Sequence, residues 1–430
     1  MKKVLVLSYF FPPCNLTASQ RAQSWANYLS LYGYKPIIIT RRWDEKISHL
    51  SDVSRSTPEE IKHEVFDTHE VFYLPYVANL RDKIYVKYRE NRFNAFRKAL
   101  TFLELFFQPF LNSAIPYNNI YDFSLQYLQN NKDVDRMVIT GNPFNLFKFG
   151  YQLHKKTGIR WIADYRDAWT TSEINMINKG ALHKFINAME TYFEKKWVGS
   201  AALVTASSQP IGNHVGELVK KEGFSLYNGF VPEDFDPIKV PGKFNDFTVT
   251  YVGTLYDGQK VEIFCEAFKK LIDSADGHIS AKLIFPGLNF YKAQQQRIER
   301  VMKGYEKFYE CTERMERNKI LAIEKQSHLL LHVAWDEHKG IIASKIYEYI
   351  ASGTFILVTP TDEGAIQEIV ESSGCGICTR TIAETYDFLK QEYENYKKGI
   401  VKTNNVNTPG VLQFSRQKQA GRLAGLLDKI

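Results

Sequence analysis

At 430 residues the chain is long enough for two domains, each able to bury a full core. Hydrophobic residues make up 44% and charged residues 24%, an ordinary globular composition, and a formal net charge of +7 is too modest to argue for a nucleic-acid binder. No apolar run approaches the roughly 18–20 residues of a membrane-spanning helix, and five Cys in this length give no disulfide framework, so a reducing cytoplasm is the expected location.

Met1-Lys2-Lys3 ahead of Val4–Leu7 has the start of a leader peptide. The apolar run is too short, though, and enters Phe11-Pro12-Pro13 without a small-residue cleavage site, so it reads as a first buried strand. Apolar runs then alternate with helical patterns, the signature of parallel sheets wrapped by helices. In the first half, strands are expected at Val4–Ser8, Pro36–Thr40, Val71–Leu74, Met137–Thr140, Arg160–Asp164 and Ala202–Ala206. Helices are expected at Ser19–Tyr32, Lys83–Phe107, Phe144–Lys156, Leu182–Trp197 and Pro210–Lys220. A linker rich in Pro, Gly and acidic residues runs from Tyr227-Asn228-Gly229-Phe230 to Val240-Pro241-Gly242. The second half restarts with strand Thr248–Val252 and a helix through Leu271, followed by strands Ala281–Phe285, Leu329–Val333 and Phe355–Thr359. Ser415–Ile430 closes the chain as an amphipathic helix on Leu423, Leu426, Leu427 and Ile430.

In an open α/β sheet, ligands sit outside the carboxyl ends of strands. After the first strand, the loop from Phe11 to Arg21 is therefore a candidate phosphate or acceptor loop. Thr17 and Ser19 offer hydroxyls or cap the helix there, and Arg21 reaches an anion or pairs on the surface. Asp164-Tyr165-Arg166-Asp167-Ala168-Trp169 ends the strand Arg160–Asp164. Its carboxylates and guanidinium can orient a hydroxyl and meet a phosphate, or pin the loop as a local ion pair. Ser344–Gly376 carries the densest signal. A helix holding Lys345 and Glu348 stops at Gly353, an apolar strand follows, and the loop Pro360–Gly364 feeds a second helix whose N–H groups suit an anion. A carboxylate for hydroxyls beside a helix start for phosphate suits a nucleotide-sugar.

Ser344-Lys345-Ile346-Tyr347-Glu348-Tyr349 resembles the donor-binding signature of glycosyltransferase family 4. Many bacterial members of that family carry P-S-K-hydrophobic-Y-E-Y, and a Glu matching Glu348 holds the nucleotide ribose. The family's earlier glutamate falls here on Gly340. Its diphosphate-neutralising Arg and Lys fall on Thr254 and Gln259, after Gly253, leaving Lys260 and Lys345 as the nearest replacements. Its Gly pair after the first strand is replaced by Leu16-Thr17-Ala18-Ser19. Many members place a His near Asp164–Trp169, where this chain has none, so whether Asp164 or Asp167 assists the acceptor stays open. The family also has a Y-N-G-hydrophobic linker, as at Tyr227–Phe230, and a last helix that crosses back onto the first domain.

The resemblance implies the GT-B fold: two Rossmann-like doubly wound parallel-sheet domains facing a central cleft. It divides the chain into an acceptor-side domain 1–228, on which the helix 415–430 packs back, a linker 229–244, and a donor domain 245–414. It implies a retaining, metal-independent sugar transfer, without cofactor, from a nucleotide-diphosphate-sugar to a hydroxyl of a lipid-linked glycan in bacterial surface polysaccharide synthesis. Asp164, Arg166 and Asp167 are the candidate catalytic residues. Gly253, Thr254, Lys260, Ser344, Lys345, Glu348, Glu363, Gly364 and Ala365 are the candidate donor-binding residues, and Thr17, Arg21 and Asn142 lie on the acceptor side. A nucleotide-sugar epimerase-hydrolase of the same fold, or a catalytically silent homologue that binds a glycan or membrane, are the alternatives.

Arg81–Lys98 holds seven Lys/Arg and two acidic residues, with Ile84, Tyr88, Phe96, Leu100, Leu103, Phe107 and Phe110 at helical spacings. It reads either as a basic amphipathic surface for the inner face of an anionic membrane or as a helix packed on the first domain. Other patterns carry less. Asp133-Val134-Asp135 precedes a strand and Asp234-Phe235-Asp236 lies in the linker, so neither is read as a metal site. Cys375-Gly376-Ile377-Cys378 lacks a second pair for zinc. His328 and His332 flank a buried-strand pattern and read as core or surface residues. The absence of G-x-G-x-x-G after any strand argues against a nicotinamide dehydrogenase.

Overall fold

The computed structural model describes the chain apart from residues 45–46, 48, 90–91, 173–179, 241, 276–277 and 291, so Glu90 and Asn91 of the basic stretch and Pro241 of the linker lie outside the described residues. The chain forms two units, Met1–Tyr227 with Gln419–Ile430, and Asn228–Lys418.

In the first unit, β1 (Lys2–Leu7), β2 (Tyr34–Arg41), β3 (Lys62–Val65), β4 (Glu70–Leu74), β5 (Val134–Gly141), β6 (Arg160–Tyr165), β7 (Leu203–Ala206) and β8 (Gly223–Ser225) make one sheet. Their order is β3-β4-β2-β1-β5-β6-β7-β8, antiparallel only between β3 and β4. The central strands are continuous apolar runs because both faces are covered. Along β1 the side chains alternate. Val4 and Val6 join a core with Ala22, Trp25 and Ala26 of α1 (Ser19–Tyr28) and with Ala420, Leu423 and Leu427 of the final helix, Arg416–Lys429. Leu5 and Leu7 face the opposite core.

The single helix expected over Lys83–Phe107 is two, α2 (Leu80–Tyr88) and α3 (Asn94–Phe107). The break falls where Arg89 (φ 52) and Phe93 (φ 61) take left-handed backbone, which an α-helix cannot continue through. The opposite core of the sheet is completed by α4 (Asn119–Asn130), α5 (Asn145–Thr157) and α6 (Ala181–Val198), through residues such as Ile120, Phe147, Leu153 and Trp197. No helix is expected from the sequence at α4, whose polar residues dilute the period. It buries Ile120, Tyr121, Ser124 and Leu128 on one face. Beside β8 lies α7 (Gln209–Val219), capped by the Ser208 hydroxyl accepting from the Ile211 amide.

In the second unit, β9 (Phe247–Thr250), β10 (Ala281–Phe285), β11 (Tyr309–Cys311), β12 (Leu329–His332), β13 (Phe355–Val358) and β14 (Gly376–Cys378) form an all-parallel sheet in the order β11-β10-β9-β12-β13-β14. The helices are α8 (Glu262–Asp273), α9 (Lys292–Val301), α10 (Arg317–Gln326), α11 (Lys345–Ser352), α12 (Ala365–Ser373) and α13 (Ile382–Lys397). One core joins α8 and α13 to β9, β10 and β12 through Phe264, Phe268, Leu389, Val249, Leu283 and Leu331. The linker is not a loose tether. Lys325 donates to the carbonyls of Phe235 and Ile238, and Lys243 to those of Lys325 and Ser327.

Both sheets grow outward in two directions, so each has a point where strand order reverses: between β1 and β5 in the first unit, and between β9 and β12 in the second. A crevice forms outside the carboxyl ends of strands at such a point.

Candidate functional site

In the first unit, Asp164 lies inside the protein. Its carboxylate is fully buried and takes two bonds from the Arg21 guanidinium, at 2.8 and 2.5 Å, and one from the Thr205 hydroxyl at 2.7 Å. Arg21 is 5% exposed and also donates to the Leu226 carbonyl. This bidentate pair ties α1 to β6 and β7, so the Arg21 pairing expected at the surface is a buried one, made with the Asp164 carboxylate that the sequence block offered for catalysis. Arg166 and Asp167 pair with each other, and Asp167 is the exposed member. Thr17 is exposed, and α1 starts without a side-chain cap, the Ser19 hydroxyl turning back to the Leu16 carbonyl.

The segment after β6 is fixed from behind by Glu194 of α6. This buried carboxylate accepts from the Tyr165 hydroxyl at 2.8 Å, the Thr170 amide at 3.3 Å and the Thr170 hydroxyl, while burial pushes its pKa up. Glu194→Ala would leave three donors without a partner. It is expected to lower stability by about 2–4 kcal/mol in chemical unfolding, with Glu194→Gln recovering at least half of the loss.

Outside the carboxyl ends of β1 and β5, at the first unit's reversal point, lies a cavity of about 360 Å³. Tyr9 and Phe10 follow β1 into its wall, and Asn142, Pro143 and Phe144 follow β5. Phe144 stacks on Trp169 at 5.0 Å and 7°, and Trp169 in turn on Trp197 at 6.0 Å. Glu190 also lines it, within hydrogen-bonding reach of the Trp169 indole, and burial raises its pKa. Of these residues the sequence offers Asn142 as a site candidate and Trp169 only as the end of the Asp164–Trp169 block, and it misses Glu190, Phe193 and Trp197. Their i, i+3, i+7 spacing on one face of α6 was the available signal.

In the second unit, Gly253 (φ 86) and Thr254 follow β9 at the reversal point. Lys345 opens α11, a helix seated by buried Ile346, Tyr347, Tyr349 and Ile350 and stopped by Gly353 at φ 79. Its ammonium lies 3.7 Å from the Tyr251 ring centroid and 3.4 Å from the Thr254 carbonyl. Burial pushes its pKa down to about 7, against the raising effect of Glu324. Glu348 does not pair with it. The Glu348 carboxylate meets Arg317, which also holds Asp234 at 3.0 Å. Ser344 is exposed and caps no amide through its side chain. Lys260 is exposed and paired with Asp336 at 2.5 Å. Gln259 is buried, its amide donating to the Val333 carbonyl, so it stitches the loop after β9 to β12. Behind α11, Glu324 of α10 is fully buried with neither oxygen hydrogen-bonded among the described residues. Burial first, then Glu348, holds its pKa well above the carboxylate range.

The start of α12 differs from expectation. Asp362, 1% exposed, accepts from the amides of Gly364, Ile366 and Gln367 at 3.1, 3.0 and 3.2 Å, and the Ala365 amide donates to the Lys339 carbonyl. The Glu363-Gly364-Ala365 amides expected to cradle phosphate are thus occupied by the chain's own oxygens, and a carboxylate sits where the anion would. Gly364 is required for packing: a Cβ there would meet the Lys339 carbonyl at 2.5 Å. Glu363 pairs with Arg380.

Among the described residues, no three or more His, Cys, Asp or Glu side chains gather as a metal site would need. Asp133 pairs with Lys3, Asp135 with Arg136 and Asp234 with Arg317. Burial raises both thiols of the C-x-x-C, that of Cys378 to about 12, which makes them poor nucleophiles. His328 and His332 are core residues lowered by burial to about 4 and about 3.

No protein-family model matches the sequence, and no curated protein matches it significantly. Solved structures do resemble the fold. A glycosyltransferase of Rickettsia africae ESF-5 shares 13% identity at a TM-score of 0.58, over 99% of this chain and 98% of that one. A UDP-forming α,α-trehalose-phosphate synthase of Burkholderia vietnamiensis shares 10% at 0.60, over 100% of both chains. HepE of Anabaena, solved with UDP, shares 13% at 0.59, also over 100% of both. At such identities the likeness speaks for the fold, which is GT-B: two parallel-sheet α/β domains.

Proposed function

We propose that the chain is a glycosyltransferase that moves a sugar from a nucleotide-diphosphate donor, bound by the second unit, to a hydroxyl of a glycan. The observation that carries this reading is Lys345. It is a cation at the strand-order reversal whose contacts are a carbonyl and an aromatic face, while the nearby carboxylate of Glu348 is engaged by Arg317. An incoming diphosphate supplies the anion that this part-buried ammonium lacks. Gly253 leaves room for it, since a Cβ there would stand 4.0 Å from the Lys345 ammonium. In this reading Glu348 exchanges Arg317 for ribose hydroxyls, and Ser344, Thr254 and Lys260 complete the donor site. Neighbours of the same fold have been solved with UDP and with UDP-glucose, which favours a nucleotide-sugar donor.

The finer features are part of the same proposal: family 4 character, retention at the anomeric carbon, independence of metal, and a lipid-linked acceptor in bacterial surface polysaccharide synthesis. The test is release of UDP, GDP, dTDP, CDP or ADP from the matching sugar nucleotides, with and without EDTA. Release from one nucleotide class, unchanged by EDTA, is expected, whereas release only with added divalent metal would overturn metal independence. A second reading, a silent homologue, is favoured by Thr254 and buried Gln259 standing where the family has cations. It predicts binding without release.

A membrane surface belongs to the proposal as well. No residue of α3 is buried, and Phe96, Leu103, Phe106, Phe107 and Phe110 are exposed, as are Lys83, Lys87, Arg89, Arg92 and Lys98. Among the described residues no helix is long and apolar enough to cross a membrane. Each basic residue near an anionic surface adds about 1 kcal/mol. The protein is therefore expected to sediment with phosphatidylglycerol vesicles but not phosphatidylcholine vesicles, and less so in high salt. Phe106→Ser with Phe110→Ser should weaken binding at least tenfold, and equal binding to both vesicle types would contradict the assignment.

A further inference from the structure

We infer that β3, the open edge of the first unit's sheet, pairs antiparallel with β3 of a second copy of this chain. The two-fold axis passes through His63, so that two eight-stranded sheets continue as one. This does not depend on the transferase reading.

The edge is of a kind that soluble proteins ordinarily close. β3 is the last strand on its side of the sheet, and among the described residues it pairs with β4 alone. An edge strand presents a row of N–H and C=O groups that templates another strand, and a Pro, a bulge or repelling charge usually blunts it. Ile61–Phe66 holds no Pro, and its register with β4 runs unbroken from Lys62 opposite Tyr73 to Val65 opposite Glu70. Ile61 and Val65 stand 49% and 64% exposed.

The backbone decides which residues face outward. The Phe66 amide donates to the His69 carbonyl across the hairpin, and inward-facing groups alternate with outward-facing ones along an antiparallel pair. Phe66, Glu64 and Lys62 therefore turn their N–H and C=O toward β4, while Ile61, His63 and Val65 turn theirs to the open edge. With the axis at His63, these three meet Val65, His63 and Ile61 of the second copy, each pair exchanging N–H for C=O.

Side chains fix that register. An axis that relates antiparallel edge strands stands perpendicular to the sheet and keeps each face on its own side, so it must pass through a residue. At His63 it sets Lys62 opposite Glu64 of the second copy, and Glu64 opposite Lys62. On the other face it sets Ile61 opposite Val65, twice. Moved to Glu64 or to Lys62, the axis would put two carboxylates or two ammoniums opposite each other, which destabilises a pair. The two faces are distinct in the structure. Lys62 lies 2.7 Å from the Glu64 carboxylate and 5.3 Å from the Tyr73 ring centroid on one. On the other, His63 stacks on Phe72 at 4.0 Å and 6°, and Phe72 packs on Phe123 and Tyr127 of α4. The joined edge thus extends an existing aromatic band. A lone Lys on an edge repels its own copy; Lys62 with Glu64 two residues on complements it.

The experiment is sedimentation equilibrium of the full-length protein over about 1–200 µM, since a small interface belongs to the weak end of the affinity range. His63→Pro, Lys62→Glu, and Lys62→Glu combined with Glu64→Lys run in parallel, with circular dichroism to confirm folding. His63→Pro removes an outward N–H and none that β4 uses, a place where an edge strand tolerates Pro. A concentration-dependent dimer is expected for the wild type and a monomer for His63→Pro. Lys62→Glu should dimerise about tenfold more weakly or worse, and the charge exchange should return to within about threefold of wild type. A monomeric wild type over the whole range, wild-type affinity in Lys62→Glu, or an exchange variant no tighter than Lys62→Glu overturns the inference. Should His63→Pro not fold, the charge exchange decides alone, because only this register predicts the rescue.

Discussion

Asp164→Ala is expected to cost about 3–5 kcal/mol of stability, because it strands the Arg21 guanidinium inside the first unit without its counter-charge. The Leu226 carbonyl satisfies one N–H of Arg21 and neutralises nothing. Arg21→Ala should cost a similar amount by leaving the carboxylate to the Thr205 hydroxyl alone. Together, Arg21→Met and Asp164→Leu should recover most of the loss, since a well-packed apolar pair removes both desolvation costs. Urea unfolding of the two single variants and the double variant checks this. Wild-type stability in Asp164→Ala together with lost turnover would return Asp164 to the catalytic role expected from its sequence block.

The second large effect belongs to Lys345. Replacing it by Met should weaken nucleotide diphosphate binding about 10- to 100-fold, the worth of a charge-assisted hydrogen bond in a partly dehydrated site. The pH dependence follows from its lowered pKa of about 7. A diphosphate binds the protonated form, so above pH 7 binding must take up a proton. Affinity should then fall with rising pH, by at most tenfold per unit. Lys345→Arg, which stays protonated, should flatten that slope. For folding, the linkage runs the other way. The unfolded lysine titrates near 10.4, so burying Lys345 costs stability fully below pH 7, and the cost fades between about 7 and 10.4. Calorimetric titration in buffers of different ionisation enthalpy at pH 8 reads the proton uptake directly, and zero uptake would contradict the assignment.

The alternation of apolar strands and amphipathic helices was legible in the sequence, because parallel strands buried on both faces read as unbroken runs such as Val4–Leu7 and Ile37–Ile39. Less legible were elements whose signal is short or diluted, such as the three-residue strands β8, β11 and β14 and the polar helix α4. For the site, motif position located the strand ends but not the direction of side chains. Asp164 and Asp167 are three residues apart in one block, yet one is fully buried on Arg21 and the other exposed. The Pro360–Gly364 loop looked like an anion cradle because a helix followed it, and the residue that fills the cradle, Asp362, lies within the loop itself. Glu190 and Glu324 belong to no motif. Their significance comes from burial and neighbours on other elements, which no local pattern encodes.

The most direct test of the central claim is a thermal-shift comparison of UDP, GDP, dTDP, CDP and ADP, with and without EDTA, on the wild type and on Glu348→Ala. A nucleotide at 100 times its dissociation constant adds roughly 2.7 kcal/mol of stability. The account predicts a shift from one nucleotide, insensitive to EDTA and lost in Glu348→Ala. No shift from any of the five at millimolar concentration, with the protein folded, would contradict it.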